Sequence, residues 1–233
     1  MEVFLIRHGQ SANNALEDVS QRHMDPQLTE VGRRQTGLLA EFLRAGGHVL
    51  PAERQADALP LDRLYCSPMV RALQTAEPLG RVLGLRPEVW VEIHEVGGIY
   101  LDHGDERGTV GYPGQTRSQL AERFPDFLLP KGITEKGWWK GGMEAYHEGQ
   151  GRAIGVATAL RTWAGEEGRL GLVTHGGFMS CLLKALGQQL PGDDLHYDHY
   201  NTAITRLKFL PKVGLIITYQ NRVEHLLEEL ITY

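Results

Sequence analysis

Val3-Phe4-Leu5-Ile6-Arg7-His8-Gly9 is the stretch on which the fold turns. Its apolar run is short, continuous and partly β-branched or aromatic, which suits a strand buried on both faces. The run stops abruptly at a cation, an imidazole and a glycine. A second strand-like run, Gly171-Leu172-Val173-Thr174, stops in the same way at His175-Gly176-Gly177. In an open α/β sheet, ligands bind beyond the carboxyl ends of the strands. The two histidine-bearing tips are therefore expected side by side on one sheet edge, although 167 residues separate them.

Outward from the first strand, Thr29 is a plausible N-cap for a helix reaching Arg44, with Leu38, Leu39 and Phe42 as its apolar stripe and Gly46-Gly47 as its stop. Residues 48–61 read as a surface loop. Arg63 to Cys66 reads as a strand, and Ser67-Pro68 reads as a hydroxyl N-cap with proline at the first helical position, opening a helix to about Leu83. Pro87 to Ile93 gives a third strand. This β-α-β-α-β order is that of a sheet covered by helices.

Residues 97–142 break the rhythm with ten glycines and three prolines, and an irregular excursion of that length in a compact domain is expected to be a cap or lid. Trp138 and Trp139 near its end read as packing anchors. A helix from about Glu144 to Trp163 leads back to the strand ending at Thr174. Gly177 to Leu186 makes another helix, Thr202 to Phe209 and Leu215 to Tyr219 a closing hairpin, and Val223 to Leu230 a short last helix. The whole of 1–233 is expected to be one domain with this single insertion.

The 233 residues carry 42% hydrophobic and 23% charged side chains, ordinary for a soluble globular chain. A net charge of -5 argues against a nucleic-acid surface, so any anion site must be local. Cys66 and Cys181 lie in apolar contexts and are expected as buried free thiols. With no basic leader and no apolar stretch of the ~18 residues a membrane span needs, a cytoplasmic location is expected. No stretch speaks to oligomeric state.

His8, forced to the sheet edge, carries the one side chain that is largely neutral and nucleophilic at cytosolic pH. Attack on phosphorus through one ring nitrogen requires the other to be held, most simply by a backbone carbonyl. Taken alone, a histidine is more often a satisfied structural group. Its neighbours alter that balance. Arg71 falls on the first turn of its helix, where amides and dipole already favour an anion, and guanidinium groups match phosphate oxygens bidentately. With Arg7, His175 and the Gly176 amide they suggest a phosphoryl pocket whose donors would stabilise charge spread over the equatorial oxygens. A leaving alkoxide needs a proton, and Glu95 or Glu92 could supply it. Glu95 is favoured because Gly97-Gly98 follow it, whereas Glu92 is expected to alternate within the strand.

Together these pieces resemble the histidine phosphatase superfamily, which includes cofactor-dependent phosphoglycerate mutase. The resemblance rests on Leu5-Ile6-Arg7-His8-Gly9-Gln10-Ser11 followed by Asn14, on Asp25-Pro26-Gln27-Leu28-Thr29-Glu30-Val31-Gly32 with Gln35, on Cys66-Ser67-Pro68-Met69-Val70-Arg71-Ala72-Leu73-Gln74-Thr75-Ala76, and on Val173-Thr174-His175-Gly176-Gly177. It implies a phosphoglycerate mutase-like α/β fold, a mostly parallel sheet flanked by helices on both faces. It also implies that His8 is phosphorylated, that Arg7, Arg71 and His175 complete the phosphate pocket, and that Asn14 and the Gly176 amide add hydrogen bonds. Glu95 would match the proton donor, although its Glu95-Val96-Gly97 spacing departs from the commonest pattern, in which a glycine follows four residues later.

Mutases of this family carry an Arg-His-Tyr-Gly run after the glutamate and an arginine pair in the insertion. This chain has Val96-Gly97-Gly98-Ile99-Tyr100 and only scattered Arg107, Arg117 and Lys131. The expectation is a metal-independent phosphatase acting on a small phosphorylated substrate, without a cofactor. A mutase and a non-catalytic phosphate-binding module stand as alternatives. His196 and His199 lack the further ligands a zinc site needs, so no metal is expected there.

Overall fold

A computed structural model describes residues 1–53, 60–166 and 168–233. In chain order it contains β1 (Glu2–Arg7), α1 (Glu30–Arg44), β2 (Arg63–Cys66), α2 (Val70–Leu83), β3 (Glu88–Val89), β4 (Tyr100–Asp102) and β5 (Thr109–Gly111). Then come α3 (Arg117–Arg123), α4 (Tyr146–Trp163), β6 (Arg169–Thr174), α5 (Gly176–Leu186), β7 (Ile204–Leu210) and β8 (Gly214–Arg222). The six-stranded sheet has the order β3-β2-β6-β1-β7-β8, and β4 pairs with β5 alone. β3, β2, β6 and β1 are mutually parallel, while β7 runs antiparallel to both β1 and β8.

The alternation of side chains along β1 sorts the core into two layers. Phe4 and Ile6 face Leu39 and Leu43 of α1 and Leu73 and Leu79 of α2. Val3 and Leu5 face Ala153 and Val156 of α4 and Phe178 and Leu182 of α5. Helices therefore cover both faces, and each fully buried aliphatic side chain contributes roughly 1.5–3 kcal/mol. That double burial is why the run from Val3 to Ile6 has no polar interruption. Residues 97–142 are not a loose flap: Ile99, Leu120, Phe124, Ile133 and Trp138 join the core beneath α1 and α2. Cys66 and Cys181 are free and buried, as expected.

Several boundaries differ from the sequence reading. Thr29 does cap α1, its Oγ1 accepting from Gly32 N at 3.0 Å. The buried stripe, however, is Leu39, Ala40 and Leu43, and Leu38 is exposed. Ser67 does not cap α2 and Pro68 is not its first residue; the helix begins at Val70 with Met69 at the cap position. The Ser67 hydroxyl is committed elsewhere, to His175. The strand expected over 87–93 is only Glu88–Val89, because its partner β2 ends at Cys66; Trp90 N donates to Cys66 O and the chain then turns through Val91–Ile93.

The expected loop over 48–61 is not wholly at the surface. His48, Val49 and Leu61 are buried, and 54–59 lie outside the described residues. In place of a helix over 223–230 there is a single 3-10 turn, Glu228–Leu230. Non-local bonds hold that tail extended: Gln35 Nε2 donates to Leu230 O at 2.7 Å, and Asn201 N to Thr232 O at 2.8 Å. Among the described residues no helix is long and apolar enough to cross a membrane.

Candidate active site

Strand register decides what meets at the sheet edge. Arg7 is level with Thr174, and Cys66 with Val173, across three adjacent parallel strands. The next residues out, His8, His175 and Ser67, emerge together. The rings of His8 and His175 have centroids 5.0 Å apart, and both are buried. Gly9 follows because a Cβ there would lie 2.7 Å from Gly32 O and 2.9 Å from Thr36 Oγ1. The start of α1 thus approaches the backbone closely at Gly9.

His8 Nδ1 lies 2.7 Å from Gly9 O. A carbonyl only accepts, so Nδ1 carries the proton and Nε2 the lone pair. Nε2 accepts from Arg71 Nε at 3.1 Å. Burial, then the Arg71 and Arg7 cations, push the His8 pKa well below the ordinary imidazole value and hold the ring neutral. His175 is held neutral too, chiefly by burial and then by Arg71. Its Nε2 is 2.7 Å from Ser67 Oγ, and its buried Nδ1 has no partner among the described residues.

Arg7 Nη1 donates to His199 O, and its Nε is buried without a protein acceptor. His199 is itself fixed at both ring nitrogens, 3.0 Å from Tyr197 O and 3.0 Å from Thr205 Oγ1. It positions Arg7 rather than pairing with His196, which is exposed. Arg71 sits on the first turn of α2, as expected. Its Nη1 is 3.9 Å from Asp25 Oδ1, which also accepts from Val70 N at 3.0 Å. Thr75 Oγ1 donates to Arg71 O and accepts from Gly9 N, tying the helix to the backbone after His8.

Glu95 reaches the same place from the turn after β3. Its Oε1 accepts from Val96 N at 2.9 Å and Phe178 N at 2.8 Å, its Oε2 from Gly177 N at 3.2 Å. The carboxylate thus sits on the N-terminus of α5, where the dipole favours it. A Cβ at Gly177 would lie 2.7 Å from Glu95 Oε1, so the second glycine of the pair makes room for the acid. Arg152 braces this turn, donating to Glu92 O at 2.7 Å and His94 O at 2.9 Å while its other nitrogens grip buried Glu144 at 2.8 and 2.6 Å. His94 packs between Trp138 and Trp139, ring centroids 5.3 and 4.9 Å away, which gives both tryptophans the anchoring role expected of them. Glu92 is exposed and faces an outer groove with Trp90 and Trp163.

A cavity of about 180 Å³ is lined by Arg7, His8, Asn14, Arg71 and Glu95, with Arg22 also at its wall. Asn14 Oδ1 accepts from Ser11 N and Oγ at 3.0 and 2.8 Å. His175 lies behind His8 and does not form the cavity wall, and Gly176 packs against Arg7. Sequence reasoning missed Ser67, Asp25, Arg22 and Arg152. Ser67 and Asp25 stand in the motifs quoted above, but nothing local marks Arg22 or Arg152.

Buried imidazoles also set the acid response. Burial pushes His48, His94 and His199 down to about 4 from 6.5. The unfolded chain takes up these protons below pH 6.5 and the folded chain does not. Stability present above pH 6.5 is therefore lost as pH falls towards 4, by up to about 3 kcal/mol per ring. Asp25 acts in the opposite sense: burial raises it from 3.8 to about 6, so its ionisation weighs on the fold above pH 6 and is relieved below. With His225, likewise pushed down to about 4 by burial, four imidazoles stand against one carboxyl and leave a net uptake of about three protons on unfolding, to which His8 and His175 add. The calorimetric Tm should fall steadily from pH 7 to pH 4.5. A Tm that stays level across that range would contradict this assignment.

The sequence profile described as the histidine phosphatase superfamily (branch 1) matches residues 3–222. A probable phosphatase of Schizosaccharomyces pombe is 40% identical over 89 residues, which are 38% of this chain and 34% of that protein. The matched stretch thus spans about a third of that relative. A probable phosphoglycerate mutase, GpmB, of Yersinia enterocolitica is 24% identical over 210 residues, 90% of this chain and 85% of that protein. Among solved structures, phosphoserine phosphatase of Entamoeba histolytica superposes with a TM-score of 0.58 at 19% identity, covering 97% of this chain and 99% of that one.

Proposed function

The chain belongs to branch 1 of the histidine phosphatase superfamily, and from that membership we propose that it is a phosphomonoesterase that hydrolyses a small phosphorylated metabolite through a phosphohistidine at His8. The observation that carries this reading is the neutral His8 imidazole, its Nε2 lone pair held 3.1 Å from Arg71 Nε. A phosphate dianion on Arg71 competes for that N–H, so substrate binding itself releases the nucleophile. Arg7 Nε, buried and without an acceptor among the described residues, is a donor left over for an oxyanion at the cavity wall.

In the first half-reaction the Nε2–P bond forms and the P–O bond to the alcohol breaks, and the departing oxygen takes a proton from Glu95. Oε2 accepts one backbone N–H and Oε1 accepts two, so Oε2 is the oxygen with room for that proton. In the second, Glu95 takes a proton from water as the water oxygen attacks phosphorus. The N–P bond then breaks, releasing phosphate and neutral His8. Guanidinium groups carry the charge compensation, so no metal is required by this scheme. Residues 1–233 act in this reading as one catalytic domain with 97–142 as its cap.

The insertion cations favour hydrolysis over mutase chemistry. Arg107 is paired with Asp105 at 2.7 Å, and Arg117 donates to Pro130 O at 2.9 Å and Ile133 O at 3.3 Å. Neither arginine lines the phosphate cavity, as a grip on a substrate carboxylate would require. The test is phosphate release from a panel of phosphorylated metabolites, with and without EDTA, plus 3-phosphoglycerate primed with 2,3-bisphosphoglycerate. Free phosphate, undiminished by the chelator, is expected. Positional transfer without free phosphate would mean a mutase, and tight binding of esters without turnover a binding module.

A further inference from the structure

Beside the phosphate cavity lies a larger one of about 680 Å³. The two share His23, Met24 and Pro26, so they are neighbours across a single loop. Met24 and Pro26 wall the larger cavity on one side, Ile99, Leu101, Tyr112 and Pro113 on the other. Among the described residues no lysine or arginine lines it. Two of its lining residues, Asp25 and Gln115, each keep a buried oxygen, Oδ2 and Oε1, with no hydrogen-bond partner among the described residues. Buried acceptors of this kind are normally satisfied, and leaving one unpaired costs about 1–3 kcal/mol.

We propose that this cavity receives the alcohol portion of the substrate, and that this portion is a ring-sized apolar body bearing a hydrogen-bond donor for Asp25 and Gln115. The inference rests on the phosphatase reading and names its substrate class. The geometry links the two sites through one side chain: Arg71 touches His8 with Nε and faces Asp25 with Nη1 at 3.9 Å. A phosphoryl group on Arg71 therefore has its ester oxygen beside the loop that both cavities share. The volume is that of pockets which enclose drug-sized ligands, about 300–1,000 Å³. An apolar wall without a cation disfavours a sugar acid, whose carboxylate would be desolvated without a partner. A hydroxyl on an apolar ring instead supplies the donor that the two oxygens lack.

Three alkyl esters of similar leaving-group basicity provide the test: ethyl phosphate, 2-phenylethyl phosphate and 2-(4-hydroxyphenyl)ethyl phosphate. The hydroxyphenyl ester should exceed ethyl phosphate in kcat/KM by about a hundredfold and the phenyl ester by about tenfold. In Leu101→Asp the hydroxyphenyl-to-ethyl ratio should collapse towards one, and in Gln115→Leu it should fall about tenfold, to the ratio of the phenyl ester. A ratio taken within one preparation does not depend on how much of a variant has folded. Equal turnover of all three esters by the parent protein would overturn the cavity assignment and leave the phosphatase reading standing. If none is hydrolysed the phosphatase reading fails, and calorimetric binding then decides the cavity. Tighter binding of the hydroxyphenyl ester that is lost in Leu101→Asp and reduced to that of the phenyl ester in Gln115→Leu supports it, and equal binding of the three esters overturns it.

Discussion

His8→Ala is expected to lower kcat by at least about 10⁴-fold and to remove the acid-labile phosphoenzyme formed on mixing with substrate. The His8 imidazole is buried, neutral and in contact with the Arg71 guanidinium, and its Nδ1 proton is held on Gly9 O, which leaves Nε2 as the attacking atom. Arg7, Arg71 and Asn14 remain at the cavity wall, and phosphate esters should still bind within a few-fold of the parent affinity. His8→Asn, which keeps a polar group against Gly9, guards against a trivial loss of fold. Turnover above about one per cent in both variants, with a phosphoenzyme still trapped, would move the nucleophile elsewhere.

Glu95→Gln should produce the second largest loss, about 10³-fold in kcat for alkyl phosphates, within the range that a positioned acid supplies. The loss should depend on the leaving group. With 4-nitrophenyl phosphate the departing oxygen needs no proton, so the first half-reaction stays fast while the second, which needs Glu95 as base, slows. A burst of nitrophenolate equal to the enzyme concentration, followed by slow turnover, is the expected trace. Glu92→Gln should stay within about twofold, because its side chain is exposed on an outer groove. An equal drop for alkyl and aryl esters, with no burst, would remove Glu95 from the proton path.

What could be read from the letters was whatever local pattern controls. The unbroken run from Val3 to Ile6 announces a strand buried on both faces, and the two runs ending in His8 and His175 announce a shared sheet edge, because strand ends in a parallel sheet align. Arg71 was legible for the same reason: a helix opening after β2 must place it on the first turn. Ser67 shows the limit. A serine before proline is the usual mark of a helix start, but its hydroxyl answers to His175, 108 residues away, and the helix opens two residues late. The choice between Glu92 and Glu95 turned on where β3 stops, and β3 stops because β2 does. Arg152 could not be found at all, since its targets, the carbonyls of Glu92 and His94, become neighbours only once α4 has packed.

Because His8 and His175 each project one residue past a ladder of backbone hydrogen bonds joining β1 to β6, the chemistry inherits the stiffness of the innermost part of the molecule. Slipping that ladder by a single position would send both rings to opposite faces of the sheet. Parting the two imidazoles consequently requires breaking the β1–β6 ladder itself. Thermal inactivation is therefore expected to coincide with global melting, and graded control of turnover would act through the walls outside the six-stranded sheet, most of which come from residues 11–26.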